Sequence, residues 1–245
     1  MNEIISTVEF KDYEPRKGFK CKESRISAVA NMDCMEYMAQ FPDKFFDLAV
    51  VDPPYGIGID GQRSCACKNP KHNRKHHEFK GWDIAPGADY FNELMRVSKC
   101  QIIWGGNYFS EFLPSQKGWI VWYKGQQGLT MSDCELAWSS VKTPARVVTI
   151  NRCELNKEGT FHPTQKPKAL YAWIFEKFTR GGQKILDTHL GSGSSRIAAY
   201  YAGLDFWGCE LDKEYFDKMN ERFEKEVHGV EVIGDIIITQ QSLFE

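Results

Sequence analysis

The sequence lacks the features that mark membrane, secreted or repeat proteins. No apolar run approaches the length that spans a bilayer, no secretory core follows the amino terminus, and no segment repeats. A disulfide framework is not indicated either, because the eight cysteines are scattered along the chain. These absences favour a cytoplasmic protein with reduced thiols. The 245 residues, 42% of them hydrophobic, are enough for one large α/β domain.

An overall excess of basic residues is also missing, since the formal net charge is −2. The charge is nevertheless uneven along the chain. Segment 61–81 holds six Lys or Arg against one Glu, and segment 142–168 holds six against two, so their net charges are +5 and +4. The remainder must then sum to −11 (−2 − 5 − 4). Two such segments fit contact with a phosphate backbone, although charge alone fits two solvated loops equally well.

Apolar runs and turn residues alternate in a way that predicts an α/β fold. The predicted strands are 26–30, 46–51, 101–104, 118–123, 184–187 and 205–209, and the predicted helices are 33–40, 88–98, 108–113, 168–179, 192–203 and 212–227. Segments 134–138 and 145–150 are predicted to pair as a β-hairpin. This spacing favours a mostly parallel sheet with helices on both faces.

The same pattern predicts the domain organisation. We expect an amino-terminal arm or edge strand at 1–24, one domain at 25–235 and a carboxyl-terminal tail at 236–245. Within the domain, the glycine-rich stretch 56–83 predicts a mobile basic loop. Residues 134–161 hold the hairpin and leave little chain for a recognition region.

The tetrapeptide Asp52-Pro53-Pro54-Tyr55 is the most informative motif. It follows the apolar run 45–51, so it is predicted to lie at the carboxyl end of a strand, where α/β sheets bind ligands. Its two prolines fix φ and remove two backbone N–H donors. What remains is a carboxylate, carbonyl oxygens and a ring face. That set suits a flat ligand that carries an exocyclic amine.

The tetrapeptide resembles the catalytic motif of the DNA amino-methyltransferases, which methylate adenine N6 or cytosine N4 with S-adenosylmethionine. Residues 184–194 and 206–210 resemble that family's cofactor strand, glycine loop and following acidic strand end. Residues 162–167 (His-Pro-Thr-Gln-Lys-Pro) resemble the segment that precedes the cofactor motif when the catalytic motif comes first, which is the β-group order. The resemblance covers about 26–223 and implies a single-domain, Rossmann-like methyltransferase fold.

The resemblance implies a role for each residue of the tetrapeptide. Asp52 and the Pro53 carbonyl would accept the two N–H bonds of the target amine, Pro54 would keep the turn rigid, and Tyr55 would stack on a base flipped out of the duplex. An acid at the first position favours adenine N6. Cytosine N4, structured RNA, a silent DNA-binding relative, and a protein or small-molecule amine methyltransferase remain as alternatives.

The resemblance also implies a set of cofactor residues. Asp187 would meet the methionine amino group, Glu210 the ribose hydroxyls and Asp33 the adenine end. Backbone approach to the ligand would explain Gly191 and Gly193. The implied set is completed by Lys166, His189 and Ser194. His189 stands where the family usually has phenylalanine, which makes weaker or pH-sensitive cofactor binding an expectation.

A cluster of cysteines and histidines and a set of tryptophans are not assigned to the catalytic or cofactor site. The cluster Cys65, Cys67, His72, His76 and His77 is spaced too tightly for a common zinc knuckle, so we predict no metal and a basic DNA-contacting loop, with zinc as the alternative. Three tryptophans at strand spacing are expected in the core: Trp119, Trp122 and Trp138.

The last residues resemble a known docking peptide. Gln240 to Phe244 (Gln-Gln-Ser-Leu-Phe) is similar to the short peptides by which bacterial replication proteins bind the sliding clamp. The expected partners are therefore double-stranded DNA, the clamp and a second copy of the chain, in a bacterial or phage setting. The target sequence and any link to a restriction enzyme stay open at this point.

Overall fold

The structure, a computed structural model, describes residues 3–9, 24–60, 81–128, 132–151, 159–233 and 236–239. The strands are β1 (Glu3–Glu9), β2 (Ser24–Asn31), β3 (Phe46–Val51), β4 (Ser98–Trp104), β5 (Gly118–Tyr123), β6 (Cys134–Ser139), β7 (Arg146–Thr149), β8 (Lys184–Asp187), β9 (Asp205–Glu210), β10 (Val230–Ile233) and β11 (Ile236–Thr239). The helices are α1 (Cys34–Met38), α2 (Ala88–Val97), α3 (Lys168–Phe178), α4 (Ser194–Ala202) and α5 (Lys213–Phe223). A π-helical turn, Glu224–His228, continues α5.

Nine of these strands form one sheet in the order β1-β2-β9-β8-β3-β4-β6-β5-β7. Neighbouring strands run parallel wherever neither β1 nor β6 is involved. The carboxyl ends of β2, β9, β8, β3 and β4 therefore lie along one edge of the sheet. Because β6 is antiparallel to β4 and β5, its amino end lies at that same edge. The predicted mostly parallel α/β sheet is confirmed.

Apolar residues on alternate positions of the strands build one core layer on each face of the sheet. In β3, Leu48 and Val50 join the layer that α3, α4 and α5 cover, whereas Ala49 and Val51 join the layer under α1 and α2. The strand is buried on both faces, as expected for the middle of a doubly covered sheet. The two layers hold β3 rigidly, and the chain leaves it at Asp52.

Two predicted elements are wrong. Segments 134–138 and 145–150 do not form a hairpin, since β6 pairs with β4 and β5 while β7 pairs with β5 in parallel. The local pattern resembles a hairpin, but the apolar side chains of β6 let it take an interior position in the sheet. Residues 108–113 form successive turns rather than a helix, and only these six residues lie between the turn 105–107, with its left-handed Gly105, and Pro114, too few for a regular helix of ordinary length.

Other differences concern the ends of the chain. Within the predicted arm, β1 pairs with β2 as an antiparallel edge strand. The predicted tail begins with β11, which pairs with β10 in a hairpin that the sequence pattern did not indicate. Among the described residues, no helix is long and apolar enough to cross a membrane. Residues 61–80 of the predicted basic loop, 152–158 of the recognition region and the motif 240–244 lie outside the described ranges, so those predictions stay predictions.

Candidate active site

Four acidic residues follow four neighbouring strands at one edge of the sheet. Asp33 comes two residues after β2, Glu210 ends β9, Asp187 ends β8, and Asp52 follows β3 directly. The sheet order β2-β9-β8-β3 places them in a row. Three strand spacings of about 4.8 Å give the row a length of about 14 Å. The structure therefore brings together four of the acids that the sequence pattern singled out.

Asp52 is held by a neutral and by a cationic donor. The Tyr55 hydroxyl donates to Asp52 Oδ1 at 2.6 Å, and Lys166 Nζ bonds to Oδ2. Burial raises the pKa of Asp52, and Lys166 opposes that rise. Burial and the Asp52 charge hold the pKa of Tyr55 well above its usual value, so the phenol keeps its proton. The site thus presents a desolvated carboxylate with two donors on it.

The motif resemblance assigns Lys166 to the cofactor, which would place it near Asp33, Glu210 and Asp187. Lys166 lies instead beside the tetrapeptide. Its side chain is 3% exposed, and Nζ also lies 3.3 Å from Glu135 Oε2. Lys124 in turn contacts the other Glu135 oxygen at 2.8 Å. Neither Lys124 nor Glu135 was identified from the sequence. A glutamate inside the apolar strand 134–138 was the available signal, and the wrong hairpin assignment hid its proximity to Asp52.

The Tyr55 ring is fixed by the turn that follows β4. It stacks on Tyr108 with ring centroids 5.0 Å apart and planes 21° apart. Gly105, with φ +68°, lies against the same ring. Pro53 is buried and Pro54 is half-buried, so the tetrapeptide is anchored on both sides of its double proline. Tyr108 itself is half exposed, which leaves the stacked pair open to solvent at one end.

Asp187 is buried at the end of β8. Its two oxygens accept from the Ser195 hydroxyl at 2.5 Å and from the His189 backbone N–H at 3.1 Å. Burial raises the pKa of Asp187 to about 7, against the effect of these two bonds. The Asp187 carboxyl therefore changes its charge near neutral pH, and its attraction for a nearby cation changes with it.

Glu210 closes the glycine loop onto β9. Its carboxylate accepts from the backbone N–H of Gly191 at 2.8 Å and from that of Asp212 at 3.0 Å. Burial raises the pKa of Glu210 as well. Asp33 caps α1, since its Oδ1 accepts from Met35 N at 2.7 Å. Both carboxyls therefore organise backbone at the sheet edge.

The two predicted glycines have different surroundings. Gly191 adopts φ +49°, and a β-carbon there would stand 3.5 Å from the His162 ring, an ordinary contact. A β-carbon on Gly193 would stand 2.4 Å from Met219 Cγ. Ser194 is buried and its hydroxyl accepts from Arg222 Nη1 at 3.1 Å. Gly193 and Ser194 thus face α5, and close helix packing is one physical reason for glycine at position 193.

His189 lies between a hydroxyl group and an aromatic ring. Thr188 Oγ1 lies 3.0 Å from its Nδ1, and the Tyr90 ring lies 5.5 Å away in an edge-to-face arrangement. Burial lowers the pKa of His189 to about 4. The imidazole is therefore neutral at physiological pH and serves as a flat, polar-edged ring.

The segments on either side of residues 61–80, namely 56–60 and 81–85, are called here the loop base. Two aspartates connect these two segments by hydrogen bonds. Asp83 accepts from the backbone N–H groups of Gly56 and Ile59, each at 2.8 Å. Asp60 accepts from those of Gly81 at 2.5 Å and Trp82 at 3.1 Å. These hydrogen bonds hold the two ends of segment 61–80 next to each other, close in sequence to Tyr55.

The other predicted groups have the following positions. Trp122 and Trp138 are buried in the core as expected, and Trp119 packs against it. The described residues hold no group of three or more potential metal ligands. The cysteine and histidine cluster at 65–77 lies outside the described ranges.

Comparison with known proteins identifies the family. The sequence profile of DNA methylases of the N6/N4 type matches residues 96–221, slightly more than half of the chain. The chain belongs to the DNA methylase family. The match runs from the end of α2 to α5 and contains Lys166, Asp187 and Glu210, whereas the Asp52 tetrapeptide precedes it. The family predicted from the motifs is confirmed.

Individual relatives of the DNA methylase family agree. The Type II methyltransferase M.HpaI of Haemophilus parainfluenzae is 32% identical over 80 residues, which are 33% of this chain and 26% of that protein. YubD of Escherichia coli (strain K12), provisionally named a methylase, is 26% identical over 207 residues, 78% of this chain and 87% of its own. The M.HpaI match thus spans about a quarter of that relative.

Solved methylase structures share the fold. The crystal structure of M1.HpyAVI in complex with SAM superposes with a TM-score of 0.52 at 20% identity, covering 79% of this chain and 98% of that one. The cytosine-N4-specific PvuII DNA methyltransferase gives a TM-score of 0.54 at 13% identity, with 85% and 87% covered. At these identities the likeness shows the Rossmann-like methyltransferase fold, as predicted.

Proposed function

We propose that this protein is an S-adenosylmethionine-dependent DNA methyltransferase that methylates the N6 amine of adenine in a short target sequence. The observation that carries the proposal is the row Asp33, Glu210, Asp187 and Asp52 along one sheet edge. Its order along the edge corresponds to the order of the groups that these residues would meet: adenine, ribose, methionine amine and target amine. The correspondence rests on strand order, which motif resemblance alone does not contain.

The cofactor would lie along this row. It supplies an electrophilic methyl group on a sulfonium. Asp187 would pair with the cationic amine of the methionine moiety, and Glu210 would accept from ribose hydroxyls in the manner common in dinucleotide-binding folds. Asp33 would border the adenine end. His189, neutral and ring-shaped, can pack on an aromatic or aliphatic part of the ligand without adding charge near the sulfonium.

The target amine would bind at Asp52. The lone pair of an exocyclic amine is delocalised into the base, so acceptors on its N–H bonds favour the tetrahedral geometry that attack requires. Asp52 supplies one acceptor, with Lys166 and Tyr55 fixing the carboxylate, and the Pro53 carbonyl supplies the other. As the new N–C bond forms and the C–S bond breaks, the amine becomes cationic and its surplus proton passes to Asp52 or to solvent.

Adenine is preferred over cytosine because the motif begins with an acid, whereas serine is more usual in the cytosine-N4 enzymes that it resembles. A base paired inside a duplex could not reach Asp52, so it must be flipped out. Tyr55 and Tyr108 lie at this position and could stack on such a base.

The proposed partners follow from the same reading. Duplex DNA would contact the basic segments 61–81 and 142–168. Gln240 to Phe244 would dock in a bacterial sliding clamp, so deletion of 240–245 should abolish co-elution with the clamp and spare activity on naked DNA. A homodimer is a further expectation, which analytical ultracentrifugation would test.

The test is mass spectrometry of nucleosides from mixed-sequence duplex DNA incubated with the protein and labelled S-adenosylmethionine. Label in N6-methyladenine supports the proposal in full. Label in N4-methylcytosine keeps the reaction and overturns the base assignment. Absence of label, with cofactor binding demonstrated by calorimetry, would contradict the proposed activity on duplex DNA.

A further inference from the structure

Four charged side chains form a continuous line. It starts at Asp52 and runs along the sheet edge away from Asp33, Glu210 and Asp187, called here the cofactor acids. Lys166 bonds to Asp52, Glu135 Oε2 lies 3.3 Å from Lys166 Nζ, and Lys124 Nζ lies 2.8 Å from Glu135 Oε1. The charges alternate in sign and sum to zero. Side-chain exposures of 14%, 3%, 26% and 13% along the line show that water screens it poorly.

The line crosses the sheet edge at β4. Asp52 follows β3, whereas Glu135 belongs to β6 and Lys124 follows β5, on the far side of β4. Lys166 spans the gap, with Nζ 5.4 Å from the centroid of the Trp104 ring that ends β4. Glu135 therefore acts on Asp52 in two ways, by direct repulsion between the two carboxylates and by competing for the shared Lys166 ammonium.

We propose that Glu135 is a positioning residue for the reaction at Asp52: it draws part of the attraction of the Lys166 ammonium to itself and so sets how strongly the Asp52 carboxylate can accept a hydrogen from the target amine. Lys124 tunes this effect from the other side by neutralising part of the Glu135 charge. The inference rests on the proposed function for its catalytic meaning, but the electrostatic arrangement can be tested without it.

The two charged neighbours of Asp52 act on its pKa in opposite directions. Burial raises the pKa of Asp52, Lys166 lowers it, and Glu135 raises it. Lys166 and Lys124 hold the pKa of Glu135 below its usual value despite burial, and both acids raise the pKa of Lys166. The other titratable groups that interact with Asp52 are Tyr55, Tyr171 of α3 and Asp187 of β8. Burial keeps both tyrosines protonated, and Glu135 acts with burial to raise the pKa of Asp52.

Two substitutions that replace a charged group by a neutral amide should move the Asp52 titration midpoint in opposite directions. Glu135→Gln leaves the whole Lys166 ammonium to Asp52, so the Asp52 titration midpoint should fall by about one pH unit. Lys124→Gln leaves Glu135 to pull harder on Lys166, so the midpoint should rise by about half a pH unit. Glu111→Gln, on an exposed side chain in the turns after β4, is the control and should shift nothing.

The experiment is a carboxyl ¹³C NMR titration of the full chain labelled at aspartate, with the Asp52 resonance assigned by its loss in Asp52→Asn. Opposite shifts support the proposal. Unchanged midpoints, or shifts in one direction for both variants, would overturn it, since general loosening of the site cannot produce opposite signs. Folding of each variant is checked by its near-ultraviolet circular dichroism.

A second readout connects the line to catalysis. The single-turnover rate of methyl transfer to duplex DNA should show an acidic limb that moves with the NMR midpoint, to lower pH in Glu135→Gln and to higher pH in Lys124→Gln. NMR shifts together with an inactive wild-type protein would contradict the proposed function and leave the charge arrangement standing. An active protein whose rate profile ignores both variants would refute the positioning role.

Discussion

Gly105 lies so close to the Tyr55 ring that a β-carbon at residue 105 would stand 2.3 Å from the ring's Cε1 atom. The backbone at Gly105 also has φ +68°, which a residue with a side chain adopts at a cost. The turn after β4 and the tetrapeptide after β3 are therefore fitted to each other. Any enlargement of residue 105 has to displace the ring that bonds Asp52.

Gly105→Ala should lower methyl transfer by about two orders of magnitude, because a displacement of about 1 Å in a positioning group is enough for such a loss. Cofactor affinity should change little, since residue 105 lies beyond β3 from the cofactor acids. Single-turnover kinetics and calorimetric cofactor binding measure the two effects. Gly182→Ala is the matched control, with φ +79° and no atom within 4 Å of the added carbon. Equal losses in both variants would mean that backbone strain, rather than contact with Tyr55, is responsible.

Asp52→Ala should reduce methyl transfer by at least about 10²- to 10⁴-fold, the usual range for a group that handles the transferred proton. It also leaves Lys166 buried without its nearest anion, so some loss of stability is expected as well. Thermal unfolding and cofactor calorimetry separate these effects from catalysis. Asp89→Ala, on the exposed first turn of α2, serves as the control. Loss of cofactor binding in Asp52→Ala would show that the acid has been assigned to the wrong ligand.

Cofactor affinity should depend on pH through Asp187. The pKa of about 7 in the free protein means that the carboxyl is largely protonated below pH 7, and a cationic amine binds the ionised form. Affinity should therefore fall about tenfold for each pH unit below 7, and should level off near pH 8, where the Asp187 carboxyl is almost fully ionised. His189 does not contribute in this window, because its pKa is about 4.

The measurement is calorimetric titration with S-adenosylmethionine between pH 5.5 and 8.5 in wild type and Asp187→Asn (roughly the window that brackets the Asp187 titration). The asparagine variant should bind more weakly at pH 8 and show a flat profile below 7. A raised folded-state pKa of an acid also makes the free protein less stable as pH rises from about 4 through about 7, which the variant should abolish. A steep profile that survives in Asp187→Asn would assign the titration to another group.

Asp83→Ala should destabilise the loop base, because it removes the acceptor of two charge-assisted hydrogen bonds at 2.8 Å. Since Asp83 is half-buried, we expect about 1–2 kcal/mol in the free energy of unfolding and a weaker hold on the chain that follows Tyr55. Urea unfolding measures the first effect, and the KM for duplex DNA measures the second. Asp43→Ala, which removes an exposed partner of Arg96, is the comparison. Unaltered stability and an unaltered KM would show that the hydrogen bonds of Asp83 have no function in the free protein.

The sequence predicted the parts of the fold that depend on local pattern. Strand 184–187 and the strand before Asp52 were placed within their observed bounds, because an apolar run between turn residues has few other solutions. Which strands pair with each other in the sheet was harder to predict from the sequence. β6 looks like half of a hairpin in sequence, and its insertion between β4 and β5 depends on contacts with residues far away in the chain.

The candidate site was predictable to the same extent. The acids at strand ends could be identified because parallel strands deliver their ends to one edge. The pairing of Lys166 with Asp52 could not, since the two residues are 114 positions apart and no periodicity connects them. Gly193 shows the converse, because a glycine expected to admit a ligand also has a packing partner in Met219.

The distance between Asp52 and Lys166 along the chain has a consequence during synthesis. After the ribosome has added Asp52, it must still add more than a hundred residues before Lys166 is made. Such long-range closure belongs to the slow part of folding, after local helices and turns. A nascent chain that ends before residue 166 lacks this cation and also lacks β8 and β9, so the site around Asp52 is not yet assembled. Catalytic competence would arise only late in the life of the growing polypeptide.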